Sequence, residues 1–257
     1  MNKVVGTAAQ ALAGVRDGDS FAVGGFGLSG IPTVLIDALL ATGATRLGVV
    51  SNNCGTDGGG LGKLLTAGRI AQVTASYIGD NKEFARQYLA GEIEVELTPQ
   101  GSLAERLRAG GCGIPAFYTP AGVGTPIADG GLPLRHHADG SVAAASLARE
   151  VREFDGLPYV LERAITTDFA LVRAARGDRH GNLAFRKSAR NFNPLAAMAG
   201  RITIAEVEEL TELDPDEVHL PGVFVQRVLP LSAEQAAAKG VEKRTTSAGT
   251  TDGTGRA

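Results

Sequence analysis

Cysteine is scarce in this chain of 257 residues: Cys54 and Cys112 are the only two, and they form no C-x-x-C pair. That excludes a disulfide scaffold and argues against a zinc site or a dithiol redox centre. An excess of one charge is also missing. With a formal net charge of -3, the surface offers no general field for a polyanion, so nucleic acid and anionic membranes are not expected partners, although a local basic patch stays open. Nowhere do about 18 apolar residues follow one another, which excludes a transmembrane helix. The N-terminal stretch MNKVVGTAAQALAGV resembles a secretory leader only superficially, because Gly6, Thr7 and Gln10 interrupt it and acidic residues follow at once. It reads as an amphipathic first helix. A soluble, cytoplasmic protein is the expectation.

What is present is an alternation. The apolar runs SFAVGGF, RLGVVSNN, IAQVTASYIG and EIEVELTP read as short buried strands. Between them PTVLIDALLATG, GLGKLLTAG and NKEFARQYLAG have helical spacing, and each ends in glycine. Strand and helix in turn predict an α/β fold, a largely parallel sheet covered by helices in Rossmann-like layers. Residues 110–158 are dense in glycine and proline and read as loops and a hairpin that can serve as a lid. Strand signals return at YVLERAI, FALVRAAR, RITIAEVEEL and GVFVQRVLPL, which complete a sheet. The boundaries are a domain over 1–232 and a tail over 233–257, too polar to bury enough surface to order itself.

Gly25, Gly27 and Gly30 have the spacing G-x-G-x-x-G between an apolar run and a helical one. A dinucleotide site of that kind needs an acidic residue about 20 positions on, at the end of the second strand. Here Ser51, Asn52 and Asn53 stand there, and Pro32 removes one N–H from the phosphate cradle. NAD is therefore not the expected ligand. A tight strand-to-helix turn remains open, as does a loop that lets another ligand, or a catalytic group of another chain, approach the backbone.

Four segments carry a resemblance: DGDSFAVGGFGLSGIP, SNNCGTDGGGLGKLL, NKEFARQYLAGEIEVELTPQGSLAERLRAGG and FRKSARNFN. Together they closely resemble the alpha subunit of family I CoA-transferases, the succinyl-CoA:3-oxoacid group above all. The likeness runs from about residue 3 to residue 231, and the block D-G-x-x-x-x-V-G-G-F-G-x-x-G-x-P is far more specific than a lone G-x-G-x-x-G. The family moves coenzyme A between carboxylic acids in a ping-pong cycle through an anhydride and then a glutamyl-CoA thioester. The glutamate resides in a Glu-Asn-Gly motif of the beta subunit. This chain contains no Glu-Asn-Gly, and its glutamates, as in EVEELTELDPDE, read as solvated faces.

The resemblance thus implies half of a hetero-oligomeric enzyme whose partner is the beta subunit. It implies that Gly24, Gly25, Phe26, Gly27, Leu28, Ser29 and Gly30 contact CoA, that Asn52 and Asn53 bind substrate, and that Gln100 donates to an oxyanion. By residue type alone Asn52 and Asn53 also suit a local turn, and Gln100 a helix start. The CoA thioester is a substrate, so no cofactor is expected. No metal is expected either: His136 and His137 adjoin in a loop, while His180 and His219 are isolated. Cys54 and Cys112 read as small packing residues. Arg186, Lys187 and Arg190 form a basic cluster suited to the partner's carboxylates, a phosphate, a substrate carboxylate or structural ion pairs. A 3-oxoadipate transferase subunit, or a non-catalytic CoA- or nucleotide-binding module, is the alternative.

Overall fold

The computed structural model describes residues 1–240. After the short α1 (Ala8–Ala11), the chain runs β1 (Ser20–Val23), α2 (Thr33–Thr42), β2 (Leu47–Val50), α3 (Gly62–Thr66), β3 (Ile70–Ala75), α4 (Lys82–Leu89), β4 (Glu94–Leu97) and α5 (Gln100–Gly111). An inserted layer follows, with β5 (Ala116–Thr119), α6 (Pro126–Asp129), the hairpin β6 (Pro133–His136) and β7 (Val142–Ala145), then β8 (Val151–Phe154) and β9 (Leu157–Arg163). The chain returns through β10 (Thr167–Gly177), β11 (Leu183–Ala184), α7 (Asn193–Ala199), β12 (Gly200–Leu210), β13 (Arg227–Pro230) and α8 (Ala233–Ala237).

The main sheet has the order β13-β12-β10-β1-β2-β3-β4, with β11 paired to β10. Its neighbours along that order are all parallel. Such a sheet must be covered on both faces, and the alternation within each strand does this. Phe21 and Val23 of β1 face one core with Leu35, Ile36 and Leu171, while Ala22 faces the other with Ala170, Val172 and Ala196. The second face is built largely of alanine, which lets α7 come close. Its neighbour α5 fits by the same means: a Cβ on Gly111 would lie 2.3 Å from Met198 Cβ.

Several elements differ from the sequence reading. The first helix is a single turn capped at Leu12, two residues before Gly14 at φ 97°. The glycine- and proline-rich stretch holds four strands, and β9, read as part of the main sheet, belongs to a separate antiparallel sheet β5-β9-β8. Half-buried ion pairs fasten that sheet to β4 and α5. Glu162 of β9, 1% exposed, pairs with Arg149, and Arg106 sits 2.7 Å from Glu96 and 3.8 Å from Glu162. Nor is EVEELTELDPDE wholly solvated: Glu206 on β12 is fully buried and accepts from the Leu35 N–H at 3.0 Å, at the start of α2. Pro32 caps that helix without a side-chain bond, so the carboxyl satisfies a donor that would otherwise be orphaned. The tail boundary at 232 also differs, because α8 follows at once behind a Ser232–Gln235 capping box. Residues 241–257 lie outside the described residues.

The chain leaves β1 in one direction to build β2, β3 and β4, and returns on the other side to build β10, β12 and β13. The crevice where the order reverses is where open parallel sheets place ligands, and the glycine loop Gly24–Gly30 emerges there. Its glycines are required by contact and by backbone. A Cβ on Gly24 would lie 2.0 Å from Asn193 Oδ1, and one on Gly30, at φ 71°, would lie 2.9 Å from Ala189 Cα. Asn193 is fully buried. It accepts from the Arg173 N–H at 3.0 Å and donates to the Gly30 carbonyl at 2.9 Å and the Ala189 carbonyl at 2.9 Å.

Gly24→Ala should therefore expel the Asn193 side chain and cost about 1–3 kcal/mol, whereas Gly101→Ala, a helical position with open space around it, should be neutral or slightly stabilising. Urea unfolding of both variants checks the contrast. A second expectation concerns pH. Burial pushes the Glu206 carboxyl up to about 7, against the pull of the Leu35 N–H and Arg173. The folded state thus holds this proton more tightly than the unfolded one. Its contribution is fully present below the ordinary carboxylate range and is lost as pH rises through about 7, about 3 kcal/mol in all. In Glu206→Gln the decline in thermal midpoint between about pH 5 and 7 should flatten; calorimetric scans across that range measure it.

Candidate active site

The strand ends supply the side chains. Asn52 and Asn53 follow β2, Ser76 and Tyr77 follow β3, and Gln100 opens α5 after β4. All five line one cavity of about 420 Å³ with Phe26 and Gly27 of the glycine loop. Among the described residues Asp80 is the only charged one in its lining. It is exposed and sits in the left-handed region at φ 62°.

Hydrogen bonding sets which atoms the cavity displays. The Gln100 Nε2 donates to Asn52 Oδ1 at 2.9 Å, and the Ser76 hydroxyl donates to the same oxygen at 2.8 Å. With its oxygen held by two donors, Asn52 presents its Nδ2, and Gln100 keeps a second N–H. Gln100 is no helix cap: α5 begins at Pro99 without a side-chain cap bond, and the Gln100 amide turns to Asn52. Asn53 works inward. Its Oδ1 accepts from the Gly27 N–H at 2.9 Å and its Nδ2 donates to the Gly55 carbonyl at 3.4 Å, so it pins the loop at φ 58° for Gly27.

The expected CoA segment is divided. Phe26 and Gly27 line the amide cavity, with Phe26 47% exposed, whereas Leu28, Ser29 and Gly30 line a second cavity of about 290 Å³ on the far side of the loop. Gly24 and Gly25 are buried at the strand end. Arg186, Lys187 and Arg190 lie at a one-turn helix over Lys187–Arg190, and Arg186 and Lys187 border that second cavity, not the amide one. All three are exposed.

The cysteines separate. Cys54 is buried beneath the loop and burial pushes its thiol up to about 12, which leaves no thiolate near neutrality. Cys112 is exposed at the end of α5, not packed as read from the sequence. Among the described residues no group of three or more His, Cys, Asp and Glu is placed to hold a metal, and no helix is long and apolar enough to cross a membrane.

Sequence reasoning passed over Ser76, Tyr77, Asp80 and Asn193. Ser76 and Tyr77 were visible as the residues just beyond a strand end; Asp80 sits in an uncommon backbone conformation, which carries no sequence signal. Asn193 lies in the quoted segment FRKSARNFN, but its contact with Gly24 is set by tertiary packing.

Comparison with known proteins accords with this geometry. The family model described as Coenzyme A transferase matches residues 5–230. A Mycobacterium tuberculosis protein, named as the A subunit of a probable succinyl-CoA:3-ketoacid coenzyme A transferase, is 67% identical over 232 residues, 89% of this chain and 94% of that protein. The corresponding A subunit of the Helicobacter pylori succinyl-CoA:3-ketoacid coenzyme A transferase is 55% identical over 231 residues, 89% of this chain and 92% of that one. Among solved structures, an acyl-CoA transferase of E. coli O157:H7, in a thioester complex with CoA, has the same fold at a TM-score of 0.75 and 22% identity. That match covers 93% of this chain, which spans about half (50%) of the E. coli chain. With a family match over nearly all of the domain and relatives this close, the chain belongs to the coenzyme A transferase family.

Proposed function

We propose that this chain is the alpha subunit of a two-subunit CoA-transferase that takes coenzyme A from succinyl-CoA and gives it to a 3-oxoacid such as acetoacetate. The observation that carries the reading is the amide cluster at the strand ends. Asn52, oriented by Gln100 and Ser76, displays N–H donors in an open cavity whose lining, among the described residues, contains no glutamate. Amide donors with no glutamate beside them, and among the described residues only the exposed Asp80 as a carboxylate in the lining, are half of an acyl-transfer site. The other half is a carboxylate from a partner subunit, which attacks the thioester carbonyl to give an anhydride and a thiolate; the thiolate then attacks the glutamyl carbonyl of that anhydride, expelling succinate and leaving a glutamyl-CoA thioester. Each attack builds negative charge on a carbonyl oxygen, and neutral amides held in advance stabilise that charge more than the ground state. The start of α5 adds the positive end of a helix dipole at the same place. Phe26 and the Gly27 backbone form the wall along which the thioester lies. The names of the relatives support the substrate pair. CoA enters as substrate, and the residues call for no other cofactor.

Gln100→Ala in the reconstituted complex should lower kcat about 10²–10³-fold with little change in KM. Gln100→Glu, which brings a negative charge toward the oxyanion and removes the donor to Asn52, should be at least as damaging. The Gln100→Ala loss should be flat between about pH 6 and 8, since glutamine does not titrate. Wild-type kcat in Gln100→Ala, with assembly verified by gel filtration, overturns its assignment.

The purified chain alone should not exchange CoA between succinate and acetoacetate, and adding the partner should restore ping-pong kinetics. Turnover by the isolated chain would mean that a carboxylate of its own, Asp80 foremost, forms the anhydride, and the two-subunit reading fails.

A further inference from the structure

The segment read from sequence as the start of an unstructured tail is fastened to the back of the glycine loop. We infer that residues 233–240 are a strap that positions the loop for the CoA thioester, with Arg173 as the positioning residue that holds the strap. This inference rests on the reading of the glycine loop as the CoA-contacting segment.

Three observations carry it. Arg173 lies on β10, is 4% exposed, and directs its Nη2 to the carbonyls of Ala236 at 3.0 Å and Gln235 at 3.4 Å. Those are end-of-helix carbonyls with no partner inside α8, so a buried guanidinium closes the helix. The second observation is Glu208 on β12. It accepts from Arg173 Nε at 3.1 Å and pairs with Lys239, so a single carboxylate ties the end of the strap to the residue that grips its beginning. The third is the contact itself. Gly240 lies so close to Leu28 that a Cβ added there would meet Leu28 Cβ at 2.9 Å and its carbonyl oxygen at 3.1 Å. On its other side Leu28 packs against Gly59 and Gly60.

Leu28 is thus clasped between the strap and a second glycine turn. Both turns are closed by reciprocal bonds: Phe26 and Ser29 exchange N–H···O contacts at 3.1 and 3.0 Å, and Thr56 and Gly59 at 3.2 and 3.0 Å. Phe26 and Gly27, on the amide-cavity side, immediately precede Leu28, on the strap side. A shift of Leu28 has to move them, because the four-residue turn Phe26–Ser29 is closed at both ends. The same Arg173 also bonds through its backbone N–H to Asn193, which holds Gly30. One residue therefore braces the loop from two directions. Its buried neighbour Glu206, 3.3 Å away, makes Arg173→Ala a poor test, since the truncation leaves a buried carboxyl and the α8 carbonyls without their partner and can unfold the chain by itself.

The test compares succinyl-CoA kinetics of the reconstituted complex carrying the full chain, a chain truncated after Ser232, or a full chain with Gly240→Val. Loss of the strap should raise KM for succinyl-CoA about 5–20-fold while kcat per assembled complex stays within about threefold, the signature of weakened thioester positioning. A merely structural role would lower the active fraction, hence kcat, and leave KM alone. KM within about twofold of wild type for the truncated chain overturns the strap. If the truncated chain does not assemble, Gly240→Val, which pushes on Leu28 with the strap in place, decides by the same criterion. Phe26→Ala keeps the underlying reading separate. A silent Phe26→Ala faults the loop as the CoA segment, whereas a raised KM there beside an unchanged KM in the strap variants faults the strap alone.

Discussion

The structure turns on the side chain of Asn193. One buried amide joins the three parts of the chain that meet where the sheet order reverses: it accepts from the backbone of β10, donates to the end of the glycine loop, and donates to the turn carrying the basic cluster. Nothing smaller reaches all three, and nothing apolar could satisfy them at a buried position. Gly24 has no side chain because Asn193 Oδ1 occupies the space where a Cβ would stand. Of the glycines that look like a nucleotide fingerprint, Gly30 also makes room for that amide, whereas Gly25 makes room for Ile31. Their capacity to admit a ligand close to the backbone follows on the opposite surface of the same loop.

A parallel sheet accounts for the rest of the site. Because β1, β2, β3 and β4 point the same way, the residues after each strand gather at one edge with no need for long-range sequence design. Asn52 and Asn53, adjacent in the bend that follows β2, use their amides differently. Asn53 turns inward to hold Gly27, and Asn52 opens to the cavity with Gln100 and Ser76. The pair divides labour between shaping the loop and presenting donors.

How much of this was legible before the structure depends on the kind of interaction. The strands of the main sheet and the helices α2 and α4 announce themselves through apolar periodicity and terminal glycines, because burial of one face is a local property of sequence. That Gln100, Asn52 and Asn53 lie just beyond strand ends was legible in the sequence; that they share one cavity was not. Nor were the places of Glu206, Arg173 and Asn193. A buried glutamate has the same letter as a solvated one, and what permits its burial is a helix start 171 residues away in sequence. The order of residues 233–240 escaped for a related reason: five helical residues have too little apolar surface to order by themselves, and they are held by polar contacts to Arg173 and Glu208. In the inserted layer the β6–β7 hairpin was legible, but the sheet β5-β9-β8 was not, because glycine and proline mark turns whether or not short strands lie between them.

That no arginine or lysine lines the amide cavity, among the described residues, has its own physical reason on the proposed reading. In a ping-pong exchange the site must receive carboxylates and thioesters in turn, and an arginine or lysine beside the carbonyl would bind the ground-state carboxylate as a strong, bidentate or point-charge pair. Binding of that kind deepens the well from which each half-reaction starts, and the added stabilisation of the transition state is largely cancelled. Amide donors grip a full carboxylate less tightly, yet in a site closed by the partner they act at low dielectric on the charge that develops at the carbonyl oxygen. The basic residues of this region fit the same logic. Arg173 is spent on Glu206, Glu208 and the helix end, and Arg186 and Lys187 border the cavity behind the loop. Positive charge is kept on the side of the glycine loop that carries its support, and the face that meets the thioester is left to oriented dipoles.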